Sequence, residues 1–441
     1  MCGISISLTP GTIEKISHRG IEAKQIQFGK WILGHTRLPI QTLENDIWGQ
    51  PIELPGIGYL LYNGEIFNYD KKHFENDVHY LTSLFSNFES FTEDLLFAMN
   101  QWDGFWSIVL VTEKEIFAFT DPLGKKQLYF NKNREICSEM KPLFPPGQPI
   151  NRKTISTISK WGYHTGEETC FDEIRRILPG KIYQFKESEE WISTLDYFDW
   201  GKVPVDHDLF DLMVGSVSDR LISKKFPIGL LVSGGLDSTI ILGILKELGY
   251  SPNCYYIKNE EDEFVDLIQD FYNLYMNRIE LPSSAQELEE AIWYNESPID
   301  LGSMVLQHKI FSVIPEKIVL SGDGADELFR GYRRNFEYDS QLSDIFDELT
   351  YYHLPRLDRA SMRYTIELRN PFLSHKIVAF ALKYGEKNPT ISKQILKDVF
   401  GHIIPKKIRD REKTPLKSPE IKSDPMKDRL QIINKFKKVF L

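Results

Sequence analysis

Cysteine is scarce. Four occur in 441 residues, at positions 2, 137, 170 and 254, with neither the paired spacing of a metal site nor the density of a disulfide scaffold. Such usage points to a reducing compartment, the cytosol. Long apolar runs are also missing: none approaches the ~18 residues needed to span a bilayer, and no charged-then-apolar leader precedes Cys2. No internal repeat or low-complexity tract is found, which excludes repeat arrays and compositionally biased linkers. Positive charge is in deficit, the formal net charge being -10, and this argues against general nucleic-acid binding. What is present, 41% apolar and 26% charged residues, suffices for two sizeable cores.

The chain opens Met1-Cys2-Gly3-Ile4. Removal of Met1 would leave a thiol and a free α-amino group on one residue, nucleophile and proton acceptor together, each with an ordinary pKa near ~8 to 8.5. A small buried core cysteine is the plainer alternative. Asn63-Gly64-Glu65 ends the apolar run Ile57 to Tyr62. Read as a strand end, it offers a side-chain amide and a backbone N–H pointing one way, the makings of an oxyanion hole. Read locally, Asn-Gly is a hairpin turn.

Cys2-Gly3-Ile4, Ser17-His18-Arg19-Gly20, Gly34-His35-Thr36-Arg37-Leu38-Pro39-Ile40, Gln50-Pro51, Asn63 to Tyr69 and Asp121-Pro122-Leu123-Gly124-Lys125-Lys126 together resemble the glutaminase domain of class II glutamine amidotransferases. The resemblance implies an αββα N-terminal-nucleophile sandwich over residues 2–195, with Cys2 attacking the glutamine side-chain amide. Asn63 and the Gly64 N–H would hold the oxyanion. Arg37 would pair with the glutamine carboxylate and Glu65 and Asp77 with its ammonium, while Leu38, Pro39, Ile40 and Gln41 would complete the glutamine pocket. Asp77 also reads as a helix N-cap ahead of Tyr80 and Leu81.

Phe226 to Val232 has the continuous apolar character of a strand buried on both faces. It runs into Ser233-Gly234-Gly235-Leu236-Asp237-Ser238, after which Ile240, Ile241, Ile244, Leu245 and Leu248 recur at helical spacing. Strand, glycine loop and helix form a phosphate cradle. No Gly-Lys-Ser/Thr follows, so it is not a Walker A loop. Asp237 inside the loop is either a helix cap or a ligand of Mg²⁺ bridging to phosphate. A second apolar strand, Lys317 to Leu320, leads into Ser321-Gly322-Asp323-Gly324-Ala325-Asp326-Glu327. Two such units would bring Asp237 and Asp326 to one edge of a parallel sheet, with Mg²⁺ between them. Asp323 and Glu327 could alternatively be a solvated acidic loop.

These loops, with Leu357 to Met362 and Glu367-Leu368-Arg369-Asn370-Pro371-Phe372-Leu373, resemble the synthetase domain of glutamine-hydrolysing asparagine synthetases. That likeness implies a parallel-sheet α/β ATP-pyrophosphatase domain over residues 206–441, taking the small molecules glutamine, aspartate and ATP as substrates and leaving room for a homodimer. Ser233, Gly234, Gly235, Asp237 and Ser238 would hold pyrophosphate, Val232 and Ile257 would meet adenine and ribose, and Ser321 and Gly322 would line the α-phosphate side. Asp323 would serve the acyl-adenylate, and Lys393 would neutralise the reacting phosphate. Asp237 and Asp326 would hold Mg²⁺. One departure is Ser374, where the family usually has Asp; on that ground amidation of another carboxylate, on a sugar, peptide or metabolite, is the second reading. A non-catalytic binding or storage protein is the third. The basic run Lys406, Lys407, Arg409, Arg411, Lys413 and Lys417 reads as solvated surface or as a loop closing over phosphates.

Overall fold

Alternate side-chain facing along the strands, with both faces of the central strands buried, separates the layers of the N-terminal half. In the computed structural model, which describes residues 2–40, 49–144, 147, 149–186, 192–221, 226–258, 262–280, 285–298, 301–331, 346–387, 393–411 and 425–440, two six-stranded antiparallel sheets lie face to face. The strands are β1 (Gly3–Ser7), β2 (Glu22–Phe28), β3 (Trp31–Arg37), β4 (Ile52–Leu54), β5 (Gly58–Ile66), β6 (Gly104–Thr112), β7 (Glu115–Thr120), β8 (Tyr129–Asn131), β9 (Ile136–Cys137), β10 (Ile174–Arg176), β11 (Lys181–Lys186) and β12 (Ile192–Asp196). One sheet has the order β10-β8-β9-β1-β3-β2 and the other β12-β11-β7-β6-β5-β4.

Leu61 of β5 and Val109 and Val111 of β6 point inward onto Ile4, Ile6 and Leu33 of the opposite sheet. Their neighbours Leu60, Tyr62, Ile108 and Leu110 point outward, against Leu81 and Phe85 of the helix Asp77–Phe85 and Met99 of the helix Glu93–Asn100. Alternation of this kind is what lets one strand serve two cores.

The outer face of the β1 sheet is covered differently. Ile13 and Ile16 of the segment Ile13–Arg19 and Ile155 and Ile158 of the helix Arg152–Trp161 cover part of it, and Ala291, Ile292 and Phe436, from the helices Ala285–Asn295 and Pro425–Phe440 of the other half, join the same cluster. The fourth layer of the sandwich is thus shared between halves.

The C-terminal half is built on five parallel strands, β13 (Ile228–Leu231), β14 (Asn253–Ile257), β15 (Met276–Ile279), β16 (Ile318–Leu320) and β17 (Glu367–Arg369), in the order β15-β14-β13-β16-β17. Strand order reverses at β13, so the crevice between β13 and β16 is the switch point where ligands bind in such sheets. Charged groups lock the halves together. Arg19, buried, reaches Glu139 at 3.0 Å and Asp358 at 2.9 Å, Lys126 also pairs with Asp358, and Lys141 meets Glu139 at 3.0 Å and Glu296 at 2.8 Å. Every charge in this set has a counter-charge, which is the condition under which buried ions are tolerated. No helix among the described residues is long and apolar enough to cross a membrane.

Candidate active sites

β1 begins one residue after Cys2 and pairs with β3, so the start of the chain is held across from Thr36 and His35. The Cys2 backbone N–H donates to Asn63 Oδ1 at 2.9 Å, and the Gly3 N–H donates to Thr36 Oγ1 at 2.7 Å. The Asn63 amide nitrogen reaches Ser107 Oγ at 3.4 Å. Asn63-Gly64 is neither a turn nor a strand end. β5 continues through it to Ile66, with Asn63 opposite Ser107 and Gly64 opposite Trp106. Glycine is required there because a Cβ at Gly64 would lie 2.1 Å from the Phe105 carbonyl oxygen; close approach of two backbones, rather than chain reversal, explains the pair.

A pocket beside this thiol is lined by Cys2, His35, Arg37, Leu38, Pro39, Ile40, Gln50, Tyr62, Gly64, Glu65, Asn76, Asp77 and Val78. It thereby gathers most of the glutamine-site residues expected from the sequence. Gln41 lies outside the described residues. Asn76 is the cap of the helix Asp77–Phe85, its side chain accepting from the His79 N–H at 2.8 Å. Asp77 instead turns inward, accepting from Tyr62 Oη at 2.7 Å and the Ile66 N–H at 3.1 Å. Burial raises its carboxyl to about 6 against the pull of those two hydrogen bonds. Glu65 is met at 3.3 Å by the fully buried Arg369, which also pairs with Glu367 on β17 of the other half.

Burial pushes the Cys2 thiol up, yet the His35 charge, the positive amino terminus and hydrogen bonding to His35 overcome it and bring the thiol to about 6. The sequence places His35 in the motif Gly34 to Ile40 but assigns it no role; its signal there is a polar ring inside the strand Trp31–Arg37. Its Nε2 lies 3.1 Å from the Tyr62 carbonyl. The expected consequence is selective alkylation: iodoacetamide should modify Cys2 with a rate that climbs through pH 6, and His35→Leu should move that midpoint toward the ordinary range near ~8.5. Cys137, Cys170 and Cys254 are buried with thiols pushed up to about 12, so mass mapping at pH 7 should find the label on Cys2 alone.

The second site forms at the β13/β16 crevice. Its pocket is lined by Val232, Ser233, Asp237, Ser238, Ile257, Ser321, Gly322, Asp323 and Asp326, joined by Glu327 and His353. Gly234 and Gly235 shape the first loop, Gly234 at φ +74° and Gly235 leading into the helix Leu236–Glu247. Ser233 and Ser238 face each other across that loop, their hydroxyls 3.3 Å apart. The second loop presses against the first: a Cβ at Gly322 would meet Asp237 Cβ at 2.9 Å. Lys393 Nζ sits between the loops, 2.6 Å from Asp237 Oδ2 and 2.5 Å from Asp326 Oδ1.

Asp323 and Glu327 are not a solvated acidic loop. Glu327 is buried, 3.2 Å from His353 Nε2, and Asp323 is half-buried, accepting from Ser321 Oγ at 2.6 Å. Burial, helped by the neighbouring Glu327 charge, raises the Asp323 carboxyl. Ser374 faces away from this pocket and toward the other half, its hydroxyl donating to Asp103 Oδ2 at 3.1 Å. The carboxylate at that junction therefore comes from Asp103. Of the basic run, Arg411 reaches the first loop, donating to the Gly234 carbonyl at 3.0 Å and stacking on Phe264. Lys406 and Lys407 are exposed, and Lys413 and Lys417 lie outside the described residues.

A thiol pocket on a two-sheet sandwich and a glycine-loop pocket at a parallel-sheet switch point, fused in one chain, define an ATP-dependent ligase fed with nitrogen from glutamine. Residues 4–197 match the family model of the glutamine amidotransferase domain, and residues 208–350 and 337–434 match that of asparagine synthase. The chain belongs to the asparagine synthase family. It is 25% identical over 454 residues to a probable glutamine-hydrolysing asparagine synthetase of Acanthamoeba polyphaga mimivirus, covering 91% of this chain and 80% of the relative. To the human glutamine-hydrolysing asparagine synthetase it is 24% identical over 493 residues, covering 94% and 83% respectively.

Proposed function

We propose that the protein makes asparagine from aspartate, ATP and glutamine. The observation that carries this reading is the meeting of both glycine loops on Lys393, since charging a carboxylate with nucleotide calls for cationic groups where charge gathers on phosphorus. With Met1 removed, the Cys2 thiolate attacks the glutamine side-chain carbonyl, ammonia leaves, and water cleaves the resulting thioester to glutamate. Asn63 and the Gly64 N–H take the oxyanion, Arg37 the substrate carboxylate, and Glu65 and Asp77 its ammonium. The Asn63 contact with Cys2 N keeps the α-amino group placed to carry the proton.

In the second pocket ATP lies over Val232 and Ile257 with its phosphates on the Ser233–Ser238 loop, beside Ser321 and Gly322. The aspartate side-chain carboxylate attacks the α-phosphorus and pyrophosphate leaves; ammonia then displaces AMP. Asp323, its carboxyl raised above the ordinary range by burial, is positioned to manage the proton of the incoming nitrogen. Two carboxylates converging on one cation are hard oxygen donors of the kind Mg²⁺ takes, so Asp237 and Asp326 suit it, and bound there it would neutralise phosphate charge. Leu38, Ile40, Phe67, Phe105 and Leu123 of the first half pack into the core of the second. This apolar junction supports a dry passage that keeps ammonia unprotonated. We place the boundary between the two units at residues 195–206 and the protein in the cytoplasm, where four unpaired thiols belong.

Pyrophosphate release with ATP and Mg²⁺ should require aspartate, and asparagine should accumulate in step with it. Release triggered only by a different acid would reject aspartate as the acceptor.

A further inference from the structure

A polar cavity outside both pockets lies at the junction of the halves, between the helix Arg152–Trp161, β8, β10 and the helix Leu354–Arg363. It has a volume of about 30 Å³, room for a small oxyanion or a pair of waters. Arg176, Arg356 and Arg359 all reach its wall, alongside Gln127, Thr154 and His164. The donors outnumber the acceptors. Gln127 Nε2 and Thr154 Oγ1 are buried without a hydrogen-bond partner among the described residues, on residues 5% and 1% exposed, and so are Arg176 Nε and His164 Nδ1. The one acceptor Gln127 could offer, Oε1, is taken by Tyr129 Oη.

Negative charge at the wall is limited and already engaged. Glu168 lies 3.5 Å from both His164 Nε2 and Lys153 Nζ, while Glu296 and Glu139 approach Arg359 at 2.9 and 3.5 Å. Arg176 stacks on Tyr351, its guanidinium 4.9 Å from the ring, which orients the fork without neutralising it. Leaving several buried donors unpaired costs about 1–3 kcal/mol each, and native structures rarely concentrate such groups without an occupant. Water would supply lone pairs but no charge.

We propose that this cavity binds a small oxyanion, a carboxylate or a phosphate, gripped by the guanidinium of Arg176 with Arg356, Gln127 and Thr154. Planar guanidinium forks match the spacing of two oxygens on one centre, and a buried amide and hydroxyl complete the set. The site is independent of the reactions at Cys2 and at the glycine loops, and no residue of either centre lines it.

The test is calorimetric and thermal titration of the full chain with inorganic phosphate and, separately, with acetate. At least one of the two should bind and raise the melting temperature. Arg176→Gln should weaken that binding tenfold or more, and the near-isosteric Thr154→Val, which keeps the packing, should weaken it measurably. Because Arg176 is remote in the chain from the glycine loops, dependence on it separates this cavity from phosphate at the nucleotide pocket. A selenate soak should place its anomalous peak between Arg176 and Arg356. A response to phosphate alone or to acetate alone assigns the source of the oxyanion. If neither probe binds, or if both variants respond like the parent chain, the cavity is not an anion site.

Discussion

Cys2→Ala is expected to lose glutamine-dependent synthesis by about 10⁴-fold or more, the scale seen when the nucleophile is deleted from a catalytic unit, while synthesis from added ammonium salts stays near the parent level. The substitution removes one sulfur from a half-buried position; the contacts that hold it, Cys2 N to Asn63 Oδ1 and Gly3 N to Thr36 Oγ1, are backbone donors and survive. Nothing from residue 2 reaches the glycine-loop pocket, so the adenylating centre keeps its full set of side chains. Parallel assays with glutamine and with ammonium chloride make the comparison directly. Equal loss with both nitrogen sources would mean that the two centres are not separable, and full retention with glutamine would remove Cys2 from the chemistry.

The halves differ in how far such effects were readable before the fold. Motifs that act through a contiguous stretch were legible: a thiol at position 2, and two strand-loop-helix units whose glycines and aspartates announce a phosphate cradle. Lys393 was picked out by resemblance, but its place between Asp237 and Asp326 depends on a chain returning after more than 150 residues, and no local pattern encodes that. The same holds for Arg369 on Glu65, a contact between halves that sets a charge from the synthetase side behind one wall residue of the glutamine pocket. Asn63-Gly64 misled for a physical reason. Asn-Gly favours reversal when the flanking strands can separate, whereas β5 stays paired with β6 from Gly58 through Ile66 and the glycine is used for clearance. For Asp323 and Glu327 the sequence leaves a solvated loop open as an alternative, because charge is usually exposed; Glu327 is instead buried beside His353, and Asp323 is half-buried against Ser321. The shared fourth layer over the β1 sheet was invisible, since helices after residue 285 complete a sandwich that begins at residue 3.

Lys393→Met should have the largest effect at the second centre, and in two measurable directions. Aspartate-dependent pyrophosphate release should fall by several orders of magnitude while glutamine hydrolysis persists, because a cation aimed at developing phosphate charge is lost. Stability should also fall. Without the ammonium, Asp237 and Asp326 are left as neighbouring carboxylates in a largely enclosed crevice, their side chains 17% and 19% exposed. Breaking a fully buried pair costs roughly 3–5 kcal/mol, and partial exposure reduces this to about 2 kcal/mol here. Burial works against the lysine charge, but the two aspartates outweigh it and raise the ammonium pKa. A cation whose folded pKa lies above its unfolded value contributes fully below the unfolded value, so the parent chain should keep this contribution through neutrality and lose it only above about pH 10.5. In the methionine variant, acidification should restore stability as one carboxylate takes a proton. Mg²⁺ should also raise its melting temperature more than that of the parent, since the metal no longer competes with the ammonium for the same two carboxylates. Lys393→Arg separates charge from placement: it should retain most of the stability and little of the adenylation. A methionine variant as stable as the parent, with an unchanged response to Mg²⁺, would show that the lysine does not hold the two loops together.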